Sequence, residues 1–135
     1  MYQYSHQLRV RYGDTDQMGY VYYGNYGYYY EQARAESIRA LGITYKQLEE
    51  SGTMMPITRM NIRYIQPAKY DDLLTIQVSI PELPSRIITF KYDVYNEQNT
   101  LINEGENQLI FVDAITRKPK SAPALLLDKL KPYFS

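Results

Sequence analysis

Four segments in the second half of the chain alternate between apolar and polar residues, at 58–64, 74–80, 88–94 and 101–112. A period of two sends successive side chains to opposite faces of a strand, so each segment is predicted as a strand with one buried face. Proline follows the first two segments, and an Asn-Glu-Gln-Asn turn follows the third. Gly105 interrupts the fourth segment and predicts a bulge or bend there. Strands joined by such short turns favour a largely antiparallel sheet.

One long segment before these strands has helical periodicity. Small and aromatic residues recur every three to four positions between Asn25 and Leu41, and Gly42 follows as a natural stop. An alternating segment at 8–12 predicts a first strand, and shorter helices are expected at 45–50 and within 122–133. The order is therefore β-α-β-β-β-β. It predicts an α+β domain in which one long helix packs on a curved, mainly antiparallel five-stranded sheet.

Composition and length exclude several functions. The 135 residues suit a single domain, 1–135, and they contain no cysteine and one histidine, which excludes disulfides, thiolate chemistry and multi-histidine zinc sites. Fifteen basic residues balance fifteen acidic ones, which argues against nucleic acid or a membrane surface as the partner. No stretch resembles a signal peptide or approaches the roughly 18 apolar residues of a membrane helix, so the cytoplasm is the expected compartment. No metal or cofactor is expected.

Potentially reactive residues concentrate between the first strand and the long helix. Asp14 and Asp16 follow the strand, and glycines at 19, 24 and 27 would let a ligand approach the backbone. Free N–H groups at a helix N-terminus stabilise an oxyanion without a charged side chain. A carboxylate beside such donors has the parts for acyl-transfer hydrolysis. On composition alone, a turn residue and a helix cap are the commoner explanation of the two aspartates.

The stretch DTDQMGYVYYGNYGYYYEQARAESIRALG, at 14–42, resembles the signature of the 4-hydroxybenzoyl-CoA thioesterase group of hotdog-fold proteins. Segments at 55–57, 70–76 and 111–113 extend the resemblance over nearly the whole chain. It implies a hotdog fold and an acyl-CoA thioesterase that releases a free acid and CoA, with the CoA thioester as substrate and no cofactor. It also implies a homo-oligomer, a dimer or a dimer of dimers (homotetramer), with active sites between subunits.

The same resemblance implies roles for individual residues. Asp16, the second acid of the D-x-D pair, corresponds to the catalytic carboxylate, acting as nucleophile or general base. The backbone N–H of Tyr23 corresponds to the donor that polarises the thioester carbonyl. Many members of the broader acyl-CoA branch carry histidine at that position, and the tyrosine here removes a side-chain base but keeps the N–H. Six further residues are implied in substrate binding: Tyr12, Gly19, Tyr22, Asn25, Glu31 and Arg86.

Three of these six residues also have simpler explanations. Tyr12 could be an ordinary inward-facing strand residue. Glu31 lies three residues before Arg34, and a solvated ion pair between them is the favoured interpretation. Arg86 corresponds to part of a basic cluster that meets the nucleotide end of CoA, but it could equally be plain surface charge.

Tyrosine is unusually frequent, with 16 in the chain and seven between positions 20 and 30. Their rings could fill the groove between helix and sheet, or line an acyl tunnel at a subunit interface. Either use fits a short-chain or aromatic acyl group. The alternative function is a non-catalytic module that binds acyl-CoA or an acyl-carrier protein. A dehydratase would need an active-site histidine, and His6 lies outside the motif.

Overall fold

All strands belong to one antiparallel sheet in the computed structural model, which describes residues 1–134. The five long strands are β1 (Tyr2–Arg9), β3 (Ile57–Tyr64), β4 (Leu73–Ile80), β5 (Ile87–Tyr95) and β6 (Leu101–Asp113). They run in the order β1-β4-β5-β6-β3. Two-residue strands β2 (Thr53–Met54) and β7 (Pro119–Lys120) pair with the end of β6. The predicted antiparallel sheet is confirmed, and the two short strands add to the five expected.

The first strand begins and ends earlier than the alternation predicts. β1 pairs with β4 along its whole length, from Tyr2 opposite Ile80 to Arg9 opposite Leu73. β4 begins at Leu73, so β1 loses its partner strand there, and the next residues form a 3₁₀ turn over Tyr12–Asp14. Tyr12 is therefore 78% exposed, and its interpretation as an inward-facing strand residue is wrong.

Three α-helices accompany the sheet: α1 (Asn25–Arg39), α2 (Tyr45–Glu50) and α3 (Ala124–Leu130). The apolar side of α1 packs against β1 and β4. The helix ends two residues before the predicted boundary, and the chain then turns through Gly42 at φ +97°. α2 begins with a reciprocal cap, in which the Gln47 N–H donates to Thr44 Oγ1 and the Thr44 N–H donates to the Gln47 side chain.

Gly105 lies in the middle of β6 and is not a bulge. It pairs in regular register with Tyr92 of β5 and Ile62 of β3, and the register shifts of these strands fall at other positions. A Cβ at position 105 would overlap the ring of Tyr30, whose hydroxyl donates to the side chain of Asn103. Glycine is required because α1 brings an aromatic ring directly onto the backbone of the sheet.

A buried polar cluster lies beside Gly105, between α1, α2 and the sheet. Its members are Tyr30, Arg34, Tyr45, Tyr92, Asn103 and Asn107. The Arg34 guanidinium donates to the hydroxyls of Tyr45 and Tyr92, each at 3.1 Å, and the Tyr92 hydroxyl donates to Asn107 Oδ1 at 3.0 Å. The rings of Tyr30 and Tyr92 stack in parallel with centroids 4.2 Å apart. Two neutral hydroxyl oxygens therefore accept hydrogen bonds from a buried guanidinium, while the side-chain amide N–H groups of Asn103 and Asn107 have no partner within residues 1–134.

Candidate active site

The loop between β1 and α1 folds back on itself and holds Asp16 at its turn. The Asp16 N–H donates to the Tyr20 carbonyl, and the Gly19 N–H donates to the Asp16 carbonyl, both at 2.9 Å. Gly19 has a φ of +80°, a left-handed conformation that suits glycine. The Val21 N–H then donates to the carbonyl of Ala68 at 2.8 Å, which fastens the loop to the segment before β4.

The two aspartates of the D-x-D pair have different environments. Asp14 Oδ2 accepts hydrogen bonds from the Tyr29 hydroxyl at 2.8 Å and the Arg11 N–H at 3.0 Å. Burial and then the Asp14 carboxylate raise the pKa of Tyr29, so this hydroxyl remains a donor. The Asp14 backbone carbonyl accepts from the Asn25 side-chain amide at 2.8 Å. Asp14 therefore fastens the loop to α1, which is a structural role.

Asp16 keeps one carboxylate oxygen available. Oδ1 accepts from the Met18 N–H at 2.9 Å, while Oδ2 accepts no hydrogen bond from residues 1–134. The side chain is half-buried. A single backbone hydrogen bond thus orients the carboxylate and leaves its second oxygen free to react.

The start of α1 supplies unpaired backbone donors. The Asn25 N–H donates to the Tyr22 carbonyl, and the Tyr26 N–H donates to the Tyr23 carbonyl. Within the part of the chain that the structure describes, the N–H groups of Tyr23 and Gly24 have no acceptor, and no side chain caps the helix. Such N–H groups lie at the positive end of the helix dipole and favour negative charge.

Asp16 and Tyr23 border the same cleft, here termed the first cleft, of about 330 Å³. It is lined by Asp16, Met18, Tyr20, Val21, Tyr23, Tyr26, Tyr64, Ile65, Gln66 and Pro67. Asp16 also borders a second cleft of about 650 Å³. The second cleft is lined by Tyr12, Gly13, Thr15, Asp16, Gln17, Gly19 and Tyr70. Among residues 1–134, Asp16 is the one residue that lines both clefts.

Comparison with known proteins shows the family. Residues 10–130 match the model of the thioesterase-like superfamily. The chain belongs to the thioesterase-like superfamily. The match confirms the hotdog thioesterase resemblance inferred from the motif at 14–42.

Individual relatives of this thioesterase-like chain carry hydrolase names. It is 33% identical over 124 residues to the acyl-CoA thioester hydrolase YbgC of Escherichia coli O157:H7, covering 92% of each chain. A DHNA-CoA thioesterase structure from Staphylococcus aureus superposes with a TM-score of 0.86 at 29% identity, covering 99% of this chain and 85% of that one. A 4-hydroxybenzoyl-CoA thioesterase structure superposes with a TM-score of 0.84 at 22% identity, covering 96% and 99%, and supports the shared fold.

Several predicted site residues of this superfamily member lie around Asp16. Tyr12 and Gly19 line the second cleft beside the carboxylate. Tyr22 is partly exposed and packs on the ring of Tyr23 with centroids 4.5 Å apart, outside both cleft linings. Asn25 uses its side chain to hold the carbonyl of Asp14, so it positions the loop.

Glu31 and Arg86, two further predicted site residues, also lie outside both clefts. Glu31 is exposed and lines neither of them, and its predicted ion pair with Arg34 is wrong. Arg34 is buried and donates to two tyrosine hydroxyls, which leaves its guanidinium turned away from the exposed side of α1. Arg86 is exposed in the connection before β5 and lines neither cleft.

Residues from distant parts of the chain also border the clefts and were not predicted from sequence, among them Tyr64, Ile65 and Tyr70. Tyr64 is the last residue of β3, and its hydroxyl donates to the Tyr23 carbonyl at 3.2 Å. Ile65 follows it along the first cleft, and Tyr70 packs edge-on against Tyr12 with centroids 5.7 Å apart. Tyr70 lies in the segment at 70–76, which is part of the family resemblance. That resemblance was the one feature of the sequence that could have indicated a role for Tyr70.

Residues 1–134 contain no group of three or more histidine, cysteine, aspartate or glutamate side chains arranged to hold a metal ion. Within the same residues, no helix has the length and hydrophobicity needed to cross a membrane.

Proposed function

We propose that this chain is an acyl-CoA thioesterase that hydrolyses its substrate between the Asp16 carboxylate and the Tyr23 N–H. The observation that carries the proposal is their position on one cleft, the carboxylate with a free oxygen and the helix start with an unpaired donor. The names of the relatives support thioester hydrolysis, and the residue roles are inferred from the geometry.

The proposed reaction begins with the thioester carbonyl oxygen against the Tyr23 N–H. As negative charge develops on that oxygen, the amide and the helix dipole stabilise it more strongly than they stabilise the ground state. The free Asp16 oxygen either attacks the thioester carbon, or removes a proton from a water molecule that attacks it. In both routes the carbon–sulfur bond breaks, the thiolate of CoA leaves and takes up a proton, and water supplies the oxygen of the released acid.

Rapid quenching followed by mass spectrometry of the protein distinguishes the two routes. Attack by the carboxylate produces a transient acylated peptide that contains Asp16, whereas water activation produces none.

The decisive test of the proposal is Asp16→Asn assayed for thiol release. We expect kcat to fall by about 10³ with a much smaller change in KM, because the carboxylate acts mainly in the transition state. The matched control is Asp14→Asn, which keeps an oxygen that can accept from Tyr29 and Arg11 and should retain turnover within about tenfold. Unchanged turnover in Asp16→Asn would refute the mechanism. Saturable acyl-CoA binding without thiol release by the wild-type chain would favour the binding-module alternative.

We further propose a short-chain or aromatic acyl group. The first cleft is small and bordered by the rings of Tyr20, Tyr23, Tyr26 and Tyr64, which suits a compact apolar or planar group. Thiol release measured from acetyl-CoA to palmitoyl-CoA, with benzoyl-type thioesters beside them, should peak at short or aromatic acyl groups. A maximum at palmitoyl-CoA would contradict this assignment.

We propose that the chain acts as a homo-oligomer, with α1 as the central helix of a curved hotdog sheet and with active sites between subunits. Exposed aromatic rings crowd the start of α1, where Tyr22, Tyr23 and Tyr64 are 45%, 63% and 50% exposed, and such surface is commonly covered by a partner. Light scattering at micromolar concentration should give a dimer or tetramer, and a stable monomer would contradict shared sites. The cytoplasmic location stays a prediction.

A further inference from the structure

Asp16 borders two clefts, and the two clefts differ in the chemistry of their lining residues. An acyl-CoA has an apolar acyl group on one side of the reacting carbon and a long polar CoA chain on the other. The first cleft contains no lysine or arginine in its lining, which includes the apolar residues Ile65 and Pro67. It therefore suits the acyl group and offers nothing to the phosphates of CoA.

The second cleft leads toward positive charge. Two of its lining residues, Tyr12 and Tyr70, also line an adjacent groove of about 390 Å³, here termed the arginine groove. The arginine groove is lined by Arg9, Val10, Arg11, Tyr12, Tyr70 and Asp71. A path thus runs from the Asp16 carboxylate, past a pair of exposed aromatic rings, to two arginines.

The two guanidinium groups are suited to bind phosphate. Arg9 Nη1 donates to the Asp71 carbonyl at 2.8 Å, which holds the side chain over the groove, and its contact with the Asp71 carboxylate is long at 3.9 Å and exposed. Arg11 is exposed and forms no ion pair with residues 1–134. With two arginines against one aspartate the groove is net positive, and arginine offers phosphate two parallel N–H donors.

We propose that the arginine groove binds the nucleotide end of CoA, with Arg9 and Arg11 on its phosphates and Tyr12 and Tyr70 against the adenine ring. This inference rests on the proposed thioesterase function and fixes the direction in which the substrate lies. It differs from the sequence prediction that Arg86 meets the nucleotide, since Arg86 borders neither the arginine groove nor the two clefts. Tyrosine rings stack on nucleobases and tolerate the exposure seen here.

The test compares a full acyl-CoA with the N-acetylcysteamine thioester of the same acyl group, which lacks the nucleotide. Arg11→Ala should lower kcat/KM for the acyl-CoA by about tenfold, and Arg9→Ala/Arg11→Ala should lower it further, because each lost charged hydrogen bond weakens binding. For the short thioester, kcat/KM should change less than twofold. Arg39→Ala, an exposed arginine near the end of α1, is the matched control and should leave both substrates unaffected.

Each outcome bears on one of the two proposals. Selective loss on acyl-CoA in the Arg11 variants supports the groove. An unchanged preference for acyl-CoA, an equal loss on both thioesters, or a selective loss in Arg86→Ala instead would overturn the groove and leave the thioesterase intact. If the wild-type chain hydrolyses neither thioester, the proposed function itself fails.

Discussion

Tyrosine is used in two different ways in the buried polar cluster beneath α1 and in the exposed region around Asp16. In the buried polar cluster, Tyr30 and Tyr92 are fully buried and stacked, and each hydroxyl hydrogen-bonds an asparagine side chain. Around Asp16, Tyr12 and Tyr23 are 78% and 63% exposed. The buried rings carry stability because burial and hydrogen bonding coincide there. The exposed rings are available to a substrate or a partner.

Among the tyrosine substitutions, Tyr30→Ala should have the largest effect on stability. Loss of the buried ring leaves a cavity over Gly105 and an unpaired Asn103, so the free energy of unfolding should fall by about 3–5 kcal/mol. Urea unfolding measures this loss. Thiol release by the fraction that remains folded should stay close to wild type, because Tyr30 borders neither cleft. A loss below 1 kcal/mol would show that the ring does not support the core.

The buried tyrosines should make the protein less stable at alkaline pH. Burial raises the pKa of Tyr26 to about 12, and burial beside Tyr133 raises that of Tyr2 to about 12. An unfolded tyrosine titrates near pH 10, so the unfolded chain loses these protons first and the stability falls as pH rises from about 10 to 12. The slope should reach at most about 1.4 kcal/mol per pH unit for each tyrosine.

Urea unfolding at pH 9, 10 and 11 checks the alkaline slope. Tyr26→Phe should flatten it, since phenylalanine has no proton to lose. An equal slope in the variant would show that other groups cause the alkaline loss.

Tyr29 connects the two regions, because its ring is buried while its hydroxyl donates to the Asp14 carboxylate in the loop. Tyr29→Phe removes only this hydroxyl. Removal of this hydrogen bond should cost about 1.5 kcal/mol of stability. It should also lower kcat a few-fold, because Asp14 fastens the loop that carries Asp16. Thermal unfolding and thiol release test both effects, and unchanged kcat would separate the loop anchor from catalysis.

Tyr28→Ala should have the smallest effect. Tyr28 is adjacent to Tyr29 on α1, but it is 59% exposed and forms no hydrogen bond with residues 1–134. The free energy of unfolding should change by less than about 0.5 kcal/mol. Thermal unfolding of both variants, Tyr28→Ala and Tyr30→Ala, measures the difference. A similar loss of stability in the two variants would show that exposure does not separate the structural tyrosines from the others.

Local pattern was enough to predict most of the sheet. β4 and β5 alternate cleanly because one face of each strand is buried, and their pairing follows the short turn between them. The alternation of apolar and polar residues continues to Tyr12, although the pairing of β1 with β4 ends at Arg9. The pattern within one segment does not indicate where its partner strand begins.

The site was only partly predictable. The motif at 14–42 predicts Asp16 and the helix start as candidates, and the structure brings both to one cleft because they lie in one local segment. Arg34 was misinterpreted because its partners, Tyr45 and Tyr92, lie on α2 and β5 and meet it only after folding. Tyr64 and Tyr70 were missed for the same reason, since a distant part of the chain brings them beside the loop.

Because residue 105 is glycine, the ring of Tyr30 packs directly on the backbone of β6. The thickness of that ring sets the distance between α1 and the sheet. Tyr23 lies two residues before that helix, and the loop that carries Asp16 is tied to the helix through Asp14 and to the segment before β4 through Val21. A bulkier residue at position 105 would push the ring of Tyr30, and the helix with it, away from the sheet. The absence of one side chain in the centre of the sheet thereby determines how closely the helix can approach it.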